Sequence, residues 1–472
     1  MSNQHQAQRQ GISRRVFLQG AAASAGALAV GGGSLFGVSE LLAARKPGAS
    51  ARNPLYIPPT FSPTNFSLTE GPVRVNLGGG KLSNVWAYNG LLPGPTFVAS
   101  RGDTATIDLY NNLLQPTITH WHGMIVDYAN DGGPRLAIPP GPTPYKYNFP
   151  INQRAAMNWY HPHPHHVTGE QVAMGLAGAF IVRDSVETAL NLPSGKYEVP
   201  LVVRDASFDR AGNMKYAASN GGFEGDTPLV NGTLSPKLDV DSGHYRFRVL
   251  GGANARIFGL ALSNGAPFTL IGNDGGLLRA AVPVTQIDLA PGERVDVIVD
   301  FRGLSAGASV MLRDLRSGWD LVQFVVTGVT GSTWTPPAVL SAIETLGNPV
   351  RERNFSFDGM SRINGKVYDL TRIDFEVPFN ETELWRFTTG GNAPHPVHVH
   401  GVPFQVVSRA GGRGRLFSWE AGWKDTVLME DGETVEILIR FDAFRGVQGH
   451  YVIHCHKLEH EDMGMMANFK VV

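Results

Sequence analysis

An Asn-Gly pair occurs at 89–90, 231–232 and 364–365, and a similar segment follows each time. PGPTFVASRGDTATIDLYN follows the first, TLSPKLDVDSGHYRFRVL the second and KVYDLTRIDFEVPFNETELWRF the third. Each reads as turn, strand, polar turn, strand. The pairs lie 142 and 133 residues apart, a period that predicts three copies of one domain rather than a solenoid. Alternating runs such as TATIDLYNN (104–112), YRFRVLGG (245–252), RVDVIVDF (294–301) and VEILIRF (435–441) predict half-buried strands bounded by Gly, Pro, Asn and Asp. No long helical pattern competes with them. The 56 glycines and 31 prolines suit many turns between short strands. The chain is therefore expected to be all-β, a row of β-sandwiches at 52–185, 190–330 and 345–472. TGVTGSTWTPP (327–337) reads as the linker into the third.

The first 51 residues fall outside that pattern. Arg14 and Arg15 precede an apolar run, AAASAGALAVGGGSLFGV, and then LLAA at 41–44. A basic start, an apolar middle and a small-residue end are the order of an export signal. Paired arginines with Ser13 before and Phe17-Leu18 after resemble a twin-arginine signal. The resemblance implies the twin-arginine export machinery as a partner and a periplasmic or otherwise exported product. Cleavage is expected after Ala44 or Ala51. No later stretch is long and apolar enough to span a bilayer, so no stable membrane association is expected once the signal is removed. Forty basic and 41 acidic residues leave a net charge of -1, which gives no electrostatic case for nucleic acid.

Exported proteins often carry disulfides, but this chain has one cysteine, Cys455, and can form none within itself. A lone buried cysteine is usually a small hydrophobe; its neighbours argue otherwise. Ten of the 15 histidines sit in four motifs: THWHG (119–123), WYHPH (159–163), HPVHVHG (395–401) and HCHKLEH (454–460). Each holds an H-x-H pair, and alternate side chains on a strand share a face. His120 with His122, His161 with His163, His398 with His400, and His454 with His456 are thus four paired imidazoles. Imidazole suits copper, zinc, iron and nickel, and leaves the metal open. Cys455 points to the face opposite its two neighbours, as His395 does relative to His398. With His460 and Met465 they complete the thiolate, two-imidazole and thioether set of a blue-copper site. An electron-entry site would then stand behind a multi-metal site, joined to it through one residue of backbone.

The four motifs resemble those of the multicopper oxidases, the laccase-like family, and the likeness runs from about residue 52 to the end. HPHPHHVTGEQVAMGLAGAFIV (161–182) and HCHKLEHEDMGMM are similar in particular to bacterial periplasmic copper-efflux oxidases. The resemblance implies three tandem cupredoxin-like Greek-key β-sandwich domains and four copper ions per chain. It implies type 1 copper on His395, Cys455, His460 and axial Met465, and type 2 copper on His120 and His398. The two type 3 ions would take His122, His161 and His456, and His163, His400 and His454. Dioxygen would be reduced to water by electrons from a donor oxidised one electron at a time. Protons are then needed: Asp131 in NDGGP matches the family position that helps supply them, and Glu461 beside His460 is a second candidate. Asp425 in GWKDTV is a further acid that could hold a ligand imidazole.

The donor is expected to be a phenol or aromatic amine, with Cu(I) or another metal ion as the alternative. The 11 methionines are scattered. Met360, Met463, Glu459 and Asp462 could form a small metal-docking site, or the methionines could simply pack around the copper. A dedicated cuprous or metallo-oxidase, a non-catalytic cupredoxin electron carrier and a structural periplasmic protein are the competing readings. A copper nitrite reductase would lack the paired histidine motifs. His165 and His166 read as loop residues or supports for His163, and His244 as a packing histidine.

Overall fold

The computed structural model describes residues 52–389, 394–442 and 449–472. The stretch read as an export signal lies outside them. No helix among the described residues is long and apolar enough to cross a membrane. The longest, Thr168–Ala173, has six residues.

Strands form six sheets that pack as three sandwiches. In the first, a sheet of Leu82–Tyr88, Phe66–Asn76, Thr104–Asn111 and Gly141–Pro150 faces one containing Thr96–Ser100, Gly178–Arg183, Ala156–Pro162 and Thr119–His120. Leu68, Ile107 and Phe149 from one sheet meet Phe97, Tyr160 and Phe180 from the other in a single buried core. The middle sandwich closes around Phe247, Leu260, Phe268, Val297 and Phe324. The third closes around Phe357, Trp385, Val397, Ile437 and Phe469, and its core also contains Cys455 and Met465.

The three Asn-Gly pairs are the same turn. Asn89 and Gly90 have φ of 50° and 73°, Asn231 and Gly232 of 49° and 65°, Asn364 and Gly365 of 52° and 71°. Two successive positive values define the tight hairpin turn that matches strand twist, and Asn and Gly tolerate them best. Each asparagine also stitches the hairpin to the strand beside it. Asn89 Oδ1 accepts from the Thr69 N–H and its amide donates to Ser67 O. Asn231 does the same with Val202 and Pro200, and Asn364 with Ser356 and Asn354. In each sandwich the stitched strand then pairs in parallel with a later one: Phe66–Asn76 with Thr104–Asn111, Glu198–Phe208 with His244–Gly251, and Arg351–Asp358 with Thr382–Thr389. This is the Greek-key path of a cupredoxin-like domain, repeated.

Two expectations need correction. The runs at 245–252 and 294–301 are strands, but not half-buried ones: every residue of His244–Gly251 is buried, and all of Arg294–Asp300 except its last. Their polar face meets Glu187 and Glu198 rather than water. Arg248 Nε donates to Glu198 at 2.6 Å, and Arg246 Nη2 donates to Glu187 at 2.7 Å and to Asp296. An alternating pattern cannot distinguish a solvated face from one covered by complementary charge. The stretch 327–337 is only partly a linker. Its first residues continue the strand Trp319–Thr330, whose pairing with Pro236–Ser242 extends to Thr330. Trp334 is then buried, its indole N–H donating to Leu190 O and its backbone N–H to His244 Nδ1.

Candidate metal centre

Strand register assembles the histidines. His120 lies opposite His161 in the antiparallel pair of Thr119–His120 with Ala156–Pro162. His398 lies opposite His454, and Val397 opposite Cys455, where His395–Val399 pairs with Gly449–Cys455. Opposed residues share a face, so each sandwich presents its imidazoles as one group. The two groups meet: His122 stacks on His398 with ring centroids 3.7 Å apart, and His120 on His400 at 3.8 Å. His163 and His400 each bring Nε2 within 3.3 Å of His454 Nε2. His122, His161 and His456 have ring centroids 5.0–5.7 Å apart. The nitrogens of His122 and His161 also cluster with that of His120, all within 4.8 Å of one another. All eight side chains are buried.

What the rings bond on their outer sides fixes which nitrogen faces inward. His120 Nδ1–H donates to Asp131 O at 2.6 Å, His161 to Pro162 O at 2.9 Å, and His398 to Asp425 O at 2.7 Å. His400 Nδ1–H donates to Asp131 Oδ2 at 2.8 Å. A carbonyl or carboxylate only accepts, so each Nδ1 carries the proton and each Nε2 offers its lone pair. His122 is reversed. Its Nε2–H donates to Asp425 Oδ1 at 3.0 Å, which leaves Nδ1 pointing in. Nε2 of His120, His161 and His398, Nδ1 of His122 and both nitrogens of His456 are buried without a protein partner. Burial also holds His120, His122, His161, His398, His400 and His456 well below the usual imidazole range, and His163 at about 4. Neutral imidazoles with unsatisfied lone pairs turned toward a common centre fit metal ions, because buried polar atoms are otherwise hydrogen-bonded.

On the other face of the same strand Cys455 Sγ lies 3.4 Å from His395 Nδ1 and 3.6 Å from His460 Nδ1, and these two nitrogens are 3.3 Å apart. One thiol proton cannot satisfy two imidazoles, whereas one soft cation can engage all three atoms. Met465 is buried in the same core, and its carbonyl accepts the Cys455 N–H at 3.1 Å. Burial pushes the Cys455 thiol up to about 12 and holds His395 at about 4 and His460 at about 3. The thiol therefore needs a cation to displace its proton, and the imidazoles are already deprotonated at neutral pH. The peptide links of His454-Cys455-His456 join this triad to the eight-histidine group.

The three acids stand around the centre. Asp131 touches His400 and His120 as above, and burial raises its carboxyl well above the ordinary range, with Asp127 adding to the effect. Glu461 sets one oxygen 3.2 Å from His163 Nδ1 and the other 3.1 Å from His454 Nδ1. Burial alone would raise Glu461, but the two histidines outweigh it and hold it at about 2. Asp425 is the most connected of the three: its carboxylate holds His122 and its carbonyl holds His398. Sequence reasoning passed over Thr426, whose hydroxyl donates to Asp425 Oδ1 and sits 3.1 Å from His122 Nε2. It also missed Asn220, whose carbonyl accepts from His460 Nε2–H at 3.2 Å. Neither residue carries a spacing signal.

The Asn220 loop covers His460, and a cavity of about 470 Å³ lined by Ser207, Lys215, Ser219, Phe223 and Glu224 lies against this loop. A second cavity, of about 350 Å³, runs from Arg101, Arg154 and Arg440 to Gly123 and Asp425 beside the eight-histidine group. Of the suggested docking residues, Met360 and Met463 are half-buried, but both acids are turned inward. Asp462 accepts the Thr168 and Gly169 N–H groups, and Glu459 accepts from Asn254 and Tyr216. His165 and His166 stack on each other at 3.6 Å, and His166 Nδ1 lies 3.0 Å from Asp462 O.

Residues 71–187 and 335–472 each match a family described as multicopper oxidase. A multicopper oxidase of Staphylococcus haemolyticus is 35% identical over 86% of this chain and 88% of its own length. The cell division protein FtsP of Yersinia pestis is 32% identical over 98% of both. A crystal structure of laccase from Pediococcus acidilactici superposes with a TM-score of 0.84 at 32% identity, covering 90% of this chain and 94% of that one.

Proposed function

This chain belongs to the multicopper oxidase family, a copper-binding oxidoreductase acting on dioxygen, and from that premise we propose how its residues divide the work. His395, Cys455, His460 and Met465 hold the type 1 ion, and His120 and His398 the type 2 ion. His122, His161 and His456 hold one type 3 ion and His163, His400 and His454 the other, four in all. The observation that carries this reading is the pair of buried ligand groups on opposite faces of one strand, joined through Cys455 and its two neighbours. Copper bound there would supply one-electron acceptance on the Cys455 face and dioxygen reduction on the histidine face.

The chain's own residues do the rest. The outer hydrogen bonds of the histidines fix each ring's tautomer, so that binding needs little reorganisation. Asp131, whose carboxyl burial raises well above the ordinary range, is placed beside His400 to take up and pass on a proton, and Glu461 exchanges protons with the outer nitrogens of His163 and His454. The polar cavity over the Asn220 loop receives the donor, and the cavity ending at Asp425 serves the dioxygen and water of the inner centre. Serines, a lysine, a glutamate and a phenylalanine at the first cavity suit a small phenolic or aromatic donor. Asp462 and one oxygen of Glu459 are held by internal hydrogen bonds, which counts against a Cu(I) docking site built on these acids. Three cupredoxin-like domains at 52–185, 190–330 and 345–472 are supported by the three sandwiches. Export by a twin-arginine signal rests on the sequence order of 13–44.

Oxygen uptake by the copper-loaded protein tests the donor, comparing Cu(I) with a dimethoxyphenol. The reading predicts the larger kcat/KM with the phenol. A larger value with Cu(I) would replace it with a metallo-oxidase. Likeness to a protein named for cell division gives a second reading, a structural protein of the same fold. Copper content separates the two: four ions per chain for the oxidase, none for the structural protein.

A further inference from the structure

The middle sandwich supplies none of the proposed copper ligands, yet one of its loops reaches the metal centre. The loop is 290–294, Ala-Pro-Gly-Glu-Arg. A Cβ on Gly292 would stand 3.1 Å from His122 Cε1 and 3.0 Å from His456 Cδ2, so the loop backbone packs directly on one ligand from each outer sandwich. Arg294 is buried. Its guanidinium donates from Nη1 to Asp425 Oδ1 at 2.7 Å and from Nη2 to Asp425 Oδ2 at 2.5 Å, a two-pronged clamp. The same Oδ1 accepts the His122 Nε2–H. Nη1 also donates to Gly292 O at 2.9 Å, which ties the clamp to the loop that touches the ring.

The clamp has its own support. Asp274, also from the middle sandwich, accepts the Arg294 N–H at 2.7 Å and the Asp425 and Thr426 N–H groups at 3.3 Å. Lys424 reaches Glu293 at 2.9 Å and Asp274 at 3.0 Å. Every charge in this buried set has a partner of opposite sign, the condition under which buried ions hold one geometry.

We infer that Arg294 is a positioning residue for the trinuclear copper site: by clamping Asp425 it fixes the His122 tautomer that leaves Nδ1 free to bind metal. The middle domain is on this account the keystone that sets a first-domain ligand against third-domain ligands. The inference rests on the reading of His122 as a copper ligand. A guanidinium is required because only a planar fork spans both carboxylate oxygens; an ammonium spans one.

The test is chelator competition on the copper-loaded full chain, read together with the blue absorbance of the Cys455 copper. Arg294→Met should weaken retention of trinuclear copper about tenfold to a hundredfold, the usual effect of losing an outer partner, and leave the blue absorbance unchanged. Arg294→Lys should fall between the two, at least about threefold below wild type. It also serves as the readout if the methionine variant does not fold. Wild-type retention in Arg294→Lys or Arg294→Met, or equal loss of blue and trinuclear copper, would overturn the inference. His122→Ala separates the two levels. If it leaves copper retention unchanged, the ligand reading fails; if it weakens retention and the Arg294 variants do not, the clamp alone fails.

Discussion

At the scale of single residues, one side chain stands between two chemistries. Cys455 is the only thiol, lies in the core of the third sandwich, and faces His395 and His460 while its neighbours face away. Cys455→Ser should leave a folded protein, since the change is nearly isosteric, but abolish the blue colour and donor-driven oxygen uptake. Visible absorbance and melting temperature check both parts. Asp131 and Glu461 predict a different signature. Asp131→Asn and Glu461→Gln should each lower kcat about a hundredfold, within the range for positioned acids and bases, with the copper content unchanged. A fall in copper content instead would make either acid a support for its histidines. These residues were legible in the sequence to unequal degrees. H-x-H spacing reveals a shared face because strands have a period of two, so the histidine pairs could be read directly. The bond from His122 to Asp425 spans 303 positions and the bond from Arg294 to Asp425 spans 131. No local pattern encodes either one, and Asp425, the least distinctive of the three acids in the sequence, is the best connected of them in the fold.

At the scale of elements, the repeated Asn-Gly turn separates backbone strain from steric fit. Gly232 and Gly365 both need positive φ, at 65° and 71°. A Cβ on Gly365 would meet nothing within 4 Å, but one on Gly232 would lie 2.3 Å from Leu92 O. Gly365→Ala should therefore cost about 1 kcal/mol, the penalty of the left-handed conformation alone. Gly232→Ala should cost distinctly more, because the Leu92 backbone must also move. Denaturant midpoints of the two variants check the order; equal losses would mean that the second hairpin yields freely. The turns and most strand limits were legible because Asn-Gly and alternation are local signals. Burial of both faces of His244–Gly251 was not, because the charges that cover it belong to segments 50 or more residues away.

At the scale of the whole molecule, buried charge joins the sandwiches, and it makes their association sensitive to acid. Burial alone would raise Glu198, but Arg248, Arg183 and Arg246 outweigh it and hold it at about 2. A carboxylate depressed by folding adds stability above its unfolded value of about 4.3, and that stability is lost as pH falls toward 2. The contribution is on the order of 3 kcal/mol. Melting temperature should drop across that window in wild type, and Glu198→Gln should flatten this part of the profile. The same architecture makes the ligand groups on the two faces of Gly449–Cys455 one electron-coupled unit on the proposed reading. The most direct test follows the blue absorbance when fully reduced, copper-loaded protein is mixed with dioxygen, in wild type and in His163→Ala. Colour should return rapidly in wild type as electrons leave the Cys455 site for the trinuclear centre, and should stay bleached in the variant even though its type 1 site still turns blue with a chemical oxidant. Rapid return of colour in both proteins would contradict the account, because dioxygen would then be reached from the Cys455 site without the histidine cluster behind it.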